Sequence, residues 1–244
     1  MSISVIDRPS TSFGERRRRP GAPVISMLVL HYTGMKSCNA ALDRLCDPAH
    51  DVSAHYLIDE DGTIYRLVAD EKRAWHAGVS YWRSETDVNS TSLGIELVNP
   101  GHEIGYRPFP EPQISALIEL NRGLISKYRI PGTGVIGHSD IAPGRKMDPG
   151  ELFPWERLAS CGIGLWPNAS YEAGDLDGSV WSKLAAIGYA QPGNEAKGSI
   201  ILNTESAETD VISAFQSRFT PNTVTGVLDD KTRKAIASIT QLYA

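Results

Sequence analysis

A chain of 244 residues, 41% hydrophobic and 22% charged, carries enough apolar material for a buried core and fits one large or two unequal domains. Its net charge of −5 argues against nucleic acid as the main partner, since neutralising phosphates calls for a basic surface. The sequence contains no run of about 18 apolar residues, which excludes a membrane-spanning helix.

Residues 1–23 read as an N-terminal tail. MSISVIDRPSTSFGERRRRPGAP has no apolar segment of the kind a secretory signal needs, and its positive charges come late. The basic run Arg16–Arg19 reads as solvated. VISMLVL (24–30) is a short β-branched-rich run that predicts a buried strand ending at His31. A short helix is expected over 39–47. Cys38 and Cys46 would lie about 12 Å apart along its axis, too far for a disulfide. With Cys161 the set is odd, and reduced thiols fit a reducing compartment.

SAHYLIDEDGTIYRLV (53–68) predicts two strands around an Asp61-Gly62 turn. SLGIELVN (92–99) predicts another strand. Ile114, Leu117, Ile118, Ile125 and Tyr128 recur at helical spacing between Pro110–Pro112 and Pro131-Gly132. Residues 132–137 form a brief strand leading to His138. This order predicts an α+β fold, a mixed β-sheet flanked by helices, over residues 24–164. Gly, Asn, Asp and Ser dominate 165–178, which reads as a linker. Residues 179–244 predict a small all-α domain of three helices. These are spaced by Val180, Leu184 and Ile187; by Val211, Ile212, Phe215 and Phe219; and by Ala235, Ile236, Ile239 and Leu242. Asp229 or Asp230 is placed to cap the third.

Residues 137–150, GHSDIAPGRKMDPG, crowd His138, Asp140, Arg145, Lys146 and Asp148 into one loop, and loops with that much ionisable chemistry are usually sites. If the strands ending in His31 and His138 lie side by side, both imidazoles emerge at one sheet edge, where the loop can deliver Asp148. Two His and one carboxylate leave a fourth tetrahedral position, the pattern of a catalytic zinc site. Hydrogen-bonded histidines beneath a loop are the other reading of the same residues. Glu96 sits in mid-strand between Ile95 and Leu97, where a carboxylate needs a partner, a metal or a cleft. Gly94, on the same face, leaves space beside it. Lys146 points the same way as Asp148 in an extended loop, and such a cation can steady an oxyanion.

Together LVLHYTG, VSAHYLIDEDGTIYRLV, AWHAGVSYW, SLGIELVNPG and GHSDIAPGRKMDPG resemble the zinc-dependent N-acetylmuramoyl-L-alanine amidases of the amidase-2 group, which share their fold with peptidoglycan recognition proteins. The resemblance spans residues 24–158. It implies Zn²⁺ as cofactor, His31, His138 and Asp148 as its ligands, Glu96 as the acid that activates water, and Lys146 as the cation beside the tetrahedral intermediate. His76, Asn99 and Arg145 fall in segments lining the family's cleft and are substrate-side candidates. His55 belongs to a shared motif and is otherwise a packed core histidine. Asp140 either orients a ligand or caps a turn. His50 and His102 match no motif. AFQSRFTPNTVTGVLDDKTRKAI (214–236) is similar to three-helix peptidoglycan-binding domains, although 198–210 is longer and more irregular than that pattern.

The implied partner is peptidoglycan or a muropeptide, and the implied reaction is hydrolysis of the amide between the lactyl group of N-acetylmuramic acid and L-alanine. The alternative is a protein that recognises muropeptides without cutting them, for which the acid and the cation have no chemical use. A further alternative makes the metal structural and the cleft a site for another ligand. Location stays open: reduced cysteines without a signal fit cytoplasmic recycling, whereas a wall-binding tail fits the envelope.

Overall fold

The computed structural model describes residues 4–17, 21, 24–168, 180–192 and 206–243. Two compact units emerge, one of residues 1–78 with 89–136, the other of 79–88 with 137–244.

The first unit is built on a sheet. Its strands are β1 (Val5–Asp7), β3 (Met27–Tyr32), β4 (Tyr56–Ile58), β5 (Ile64–Arg66) and β7 (Ser92–Leu97), joined at the end by β8 (Val135–Gly137), in the order β1-β5-β4-β7-β3-β8. β4 and β5 form the expected hairpin, Tyr56 facing Arg66. Gly62 occupies its turn at φ 90°, and a Cβ there would lie 2.8 Å from the Pro112 carbonyl oxygen, so glycine is required twice over. β3 and β4 both run parallel to β7, as strands buried on both faces do. The apolar run Leu28–Leu30 is fully buried accordingly.

Helices cover the two faces. α1 (Cys38–Cys46) is capped by Ser37, whose side chain accepts from the Ala40 amide, and packs Ala41, Leu42 and Leu45 against Leu57, Leu67 and Val98. Cys38 and Cys46 stand at its two ends as free thiols, and burial pushes the Cys38 thiol up to about 12. The short helix α2 (Val88–Thr91) leads into β7, and α3 (Gly101–Ile104) follows it. α4 (Glu111–Tyr128) matches its predicted limits closely. Gln113 donates from it to the Ile58 and Val98 carbonyls at 2.9 and 3.0 Å. At its far end Lys127 and Tyr128 donate to Asp70, which also accepts from Tyr56.

Two expectations change in the N-terminal stretch. Residues 5–7 are not a loose tail but a strand pairing in parallel with β5, and β2 (Phe13–Glu15) pairs antiparallel with β6 (Lys72–Ala74). Arg16, expected to be solvated with the rest of its basic run, is buried. Its guanidinium donates to the backbone carbonyls of Asp70, Asn89 and Ser90, which offsets the desolvation of its charge. Arg18 and Arg19 lie outside the described residues.

The second unit contains α5 (His138–Ile141), α6 (Trp155–Ser160) and the three tail helices α7 (Val180–Ile187), α8 (Ala207–Phe219) and α9 (Asp230–Leu242). Phe215, Phe219, Ile236 and Ile239 are buried, as their spacing predicts. Asp229 caps α9 by accepting from the Thr232 amide at 2.7 Å. Gln216 replaces absent backbone partners in the turn before α9, accepting from Thr225 and Gly226 and donating to Val227 and Thr232. Most of the expected linker, and the irregular stretch up to residue 205, lie outside the described residues.

Candidate metal centre

His31 lies one residue before the end of β3, directly opposite Glu96 of the parallel neighbour β7. Because partner positions in a sheet point to one face, the imidazole and the carboxylate stand side by side. Leu57, opposite Glu96 on the other neighbour, marks this as the face that α1 covers. Two positions earlier Gly94 opens a gap, and a Cβ there would lie 2.3 Å from the His76 ring. The sheet face is therefore indented where His76 sits.

His76 fills the indentation. Its Nδ1 is 3.1 Å from His31 Nε2, its Nε2 is 3.2 Å from the Ser92 hydroxyl, and its backbone amide donates to Asn89 Oδ1. One ring nitrogen of His31 thus faces a fixed polar partner, which sets the ring's orientation. His55 lies behind, its ring 5.7 Å from that of His76, accepting from the Gly94 amide through Nδ1. Burial, aided by the Arg16 charge, pushes the His55 imidazole down to about 3, so it is neutral.

His138 and Asp148 are the other two residues of the expected ligand set. His138 opens α5 immediately after β8, and Asp148 follows ten positions on. The loop folds back so that Ser139 N donates to the Asp148 carbonyl at 2.8 Å and His138 Nδ1 meets Asp148 Oδ2 at 3.0 Å. Gly137 makes the fold-back possible: a Cβ there would lie 2.9 Å from Pro149 Cδ and 3.3 Å from the Trp155 ring. The Asp148–Pro149 bond is cis.

His31, His138 and Asp148 are all buried, and each offers a ligand atom within 4.8 Å of the others. Among the described residues this is the group of acid, thiol or imidazole side chains arranged to hold a metal ion. These are the three residues expected to act as ligands.

The remaining candidates divide. Lys146 and Arg145 are exposed on the loop between His138 and Asp148, and Arg145 Nη2 donates to the Val79 carbonyl at 2.5 Å. Asn99 is fully buried, donating to the Arg107 carbonyl and accepting from the Gly101 amide. Its amide shapes the loop after β7. His76 is likewise buried, against His31. Asp140 caps its own turn, accepting from the Gly137 amide at 2.8 Å. It also accepts from Tyr189 and Arg218, two partners that reading the loop alone did not suggest. Tyr32, next to His31, donates or accepts with His102 Nδ1 at 2.9 Å, and His102 stacks on Tyr106 at 4.1 Å. That aromatic group was also missed, since His102 matches no motif.

The Amidase_2 family, described as N-acetylmuramoyl-L-alanine amidase, matches residues 20–151. N-acetylmuramoyl-L-alanine amidase AmiD of Escherichia coli K12 is 36% identical, over 98% of this chain and 91% of its own length. The 1,6-anhydro-N-acetylmuramyl-L-alanine amidase AmpD of Haemophilus influenzae is 35% identical over 59% of this chain and 85% of its own. In three dimensions the chain is similar to E. coli AmiD in complex with anhydro-N-acetylmuramic acid-L-Ala-D-γ-Glu-L-Lys. The TM-score is 0.80 at 35% identity, over 96% of this chain and 99% of that one. AmpDh3 of Pseudomonas aeruginosa, solved with an anhydromuramic pentapeptide, also gives 0.80, at 31% identity over 93% and 96% of the two chains. By fold and by these relatives the chain is a hydrolase, and its buried His-His-Asp group is one that could hold a metal ion. The chain belongs to the N-acetylmuramoyl-L-alanine amidase family.

Proposed function

We propose that this amidase cleaves the bond between the lactyl group of N-acetylmuramic acid and L-alanine, using a Zn²⁺ ion held by His31, His138 and Asp148. The donor set fits that ion: two imidazole nitrogens and one carboxylate oxygen, buried and close together, leave a position for substrate or water. When bound, the ion supplies a positive charge that polarises the scissile carbonyl and makes water more acidic. The chain's own groups do the rest. Glu96, beside His31 across the strand pair, takes the proton of the attacking water and returns it to the departing amine. Lys146 brings its ammonium from the exposed loop to the oxygen where negative charge develops, a contribution of about 3 kcal/mol for a well-placed donor.

Around these groups, His76 orients the His31 ring, as a hydrogen-bonded neighbour does for most metal-binding histidines. Asn99 holds the loop after β7, and Arg145 faces the substrate's acidic peptide. The substrate is a muropeptide, with soluble anhydromuramyl peptides favoured by the ligands named for AmiD and AmpDh3. Functionally, residues 24–164 are the catalytic domain, and 179–244, beyond the 165–178 linker, a peptidoglycan-binding domain.

The observation that carries this reading is the meeting of His31, His138 and Asp148 with ligand atoms inside 4.8 Å. Mass spectrometry of digests decides it. Purified sacculi and soluble anhydromuropeptides, incubated side by side, should release stem peptides with a free L-alanine amine. A chelator should stop the release and added zinc restore it. Intact muropeptides after incubation with the zinc-loaded enzyme would reject the reaction, and chelator-resistant cleavage would reject the metal.

A further inference from the structure

Asp140 sits two residues beyond His138 in the one-turn helix α5, and its carboxylate is 1% exposed. Three donors reach it. Oδ2 accepts from the Gly137 amide at 2.8 Å and from Arg218 Nη1 at 2.6 Å, while Oδ1 accepts from the Tyr189 hydroxyl at 2.5 Å. Only the first is local. Arg218 comes from α8, and Tyr189 from the turn just after α7, so the tail supplies both of the others.

Those two side chains are held as firmly as the acid. Each is 1% exposed. The Arg218 guanidinium lies over the Trp155 ring at 4.5 Å and over Phe219 at 4.7 Å. The Tyr189 ring meets Trp82 edge-on at 5.1 Å and Phe215 at 6.0 Å. A buried ion pair adds little net stability compared with apolar packing, yet losing one partner strands a charge. What such a pair offers is a fixed geometry, and here it fixes a short segment. Gly137 and Asp140 bracket His138, and the next bond along, Ser139 N to the Asp148 carbonyl at 2.8 Å, reaches the other acid of the metal group. Asp210 of α8 approaches the same loop: a Cβ on Gly144 would lie 2.5 Å from its carboxylate.

We propose that Arg218 and Tyr189 are positioning residues for the metal centre, so that the tail helices form part of its scaffold and not only a wall-binding appendage. The proposal rests on the reading of His138 and Asp148 as metal ligands. The tail helices clamp Asp140, Asp140 holds the turn, and the turn aims His138. A tail that merely docked would affect the melting temperature when the clamp is cut, but not the affinity for the ion.

The test uses the full chain and three readouts: zinc affinity by competition with a chromogenic chelator, the visible spectrum of the Co²⁺-loaded protein, and hydrogen exchange of residues 137–148 without metal. Arg218→Met should weaken zinc binding by about 10- to 100-fold, the range for lost partners of metal ligands, and perturb the Co²⁺ bands. Tyr189→Phe should do the same to a smaller degree, and Arg218→Lys should recover most of the loss. Asp140→Asn/Arg218→Met, which leaves no unpaired buried charge, guards against simple misfolding. Its affinity should equal that of Asp140→Asn alone, because Arg218 acts through that carboxylate. Folded Arg218→Met and Tyr189→Phe proteins with wild-type zinc affinity and Co²⁺ spectrum would overturn the proposal. Should the wild type itself take up no zinc, the metal reading falls instead. Exchange at 137–148 then decides on the clamp, faster in the variants upholding it and unchanged overturning it.

Discussion

Glu96 and His31 occupy matched positions on adjacent strands, so their roles separate cleanly by substitution. Glu96→Gln removes a proton acceptor of nearly the same shape. It should keep one equivalent of zinc while kcat drops by about 10²- to 10⁴-fold, measured on a muramyl peptide with metal content assayed in parallel. His31→Ala should lose the metal, and retention of a full equivalent would reject that ligand. Gly94 tests the arrangement from behind. In Gly94→Ala the new Cβ must displace the His76 ring, 2.3 Å away, and overpacking of this kind costs about 1–3 kcal/mol. Both melting temperature and zinc affinity should fall, because His76 is the neighbour against which the His31 ring rests. His55 gives a pH signature. Its folded value of about 3 lies below the ordinary 6.5 or so, so the unfolded chain binds a proton that the folded chain refuses. The resulting stability is complete above about pH 6.5 and is lost as pH falls toward 3, at up to about 1.4 kcal/mol per unit. Urea unfolding of chelated protein at several pH values should show that slope, and His55→Gln should flatten it.

At the scale of elements, the patterns that carried through are those with repeated local signals. α4 is legible because its apolar residues recur along 18 positions between two proline-bearing boundaries. The Asp61-Gly62 turn is legible because only a few residue types accept a positive φ. α9 is legible from its apolar spacing and from a cap at Asp229 or Asp230, of which the structure uses Asp229. Replacing Asp229 with Ala should cost about 1 kcal/mol by leaving the Thr232 amide without its cap, seen as a lower melting temperature with little change in zinc affinity. β1 and β2 were not legible. Three residues each, VID and FGE, each preceded by Ser and followed by Arg, they hold too little periodicity to distinguish from loop. Their pairing is decided by β5 and β6, which lie far along the chain. Arg16 misled for a related reason. Four consecutive arginines look solvated, and only the carbonyls of Asp70, Asn89 and Ser90, brought in by folding, make a buried guanidinium tolerable.

For the whole molecule, the family could be read from five motifs in order, and so could the candidate ligand set, since each of those residues stands at the end of a strand or loop with its own local character. The surroundings could not. That His76 lies against His31 depends on a missing Cβ in a third segment, and that Asp140 is clamped depends on helices some 50 to 80 positions away in sequence. Supporting contacts of this kind are long-range and carry no spacing rule. They predict that activity should be sensitive to substitutions well outside the five motifs, at Tyr189 and Arg218 before exposed positions such as Val227. A scan of these residues for zinc retention would check the order.

The family match begins at residue 20, whereas β1, β2 and Arg16 all precede it. A clone trimmed to that boundary would strip β5 of its outer neighbour and leave its row of amide and carbonyl groups open to any passing chain, an invitation to self-association. It would also vacate the seat of a guanidinium on which three carbonyls depend. Residues 20–244 expressed alone should therefore sediment as aggregates where 1–244 stays dispersed, which means that domain limits drawn by similarity cut through a folding unit here.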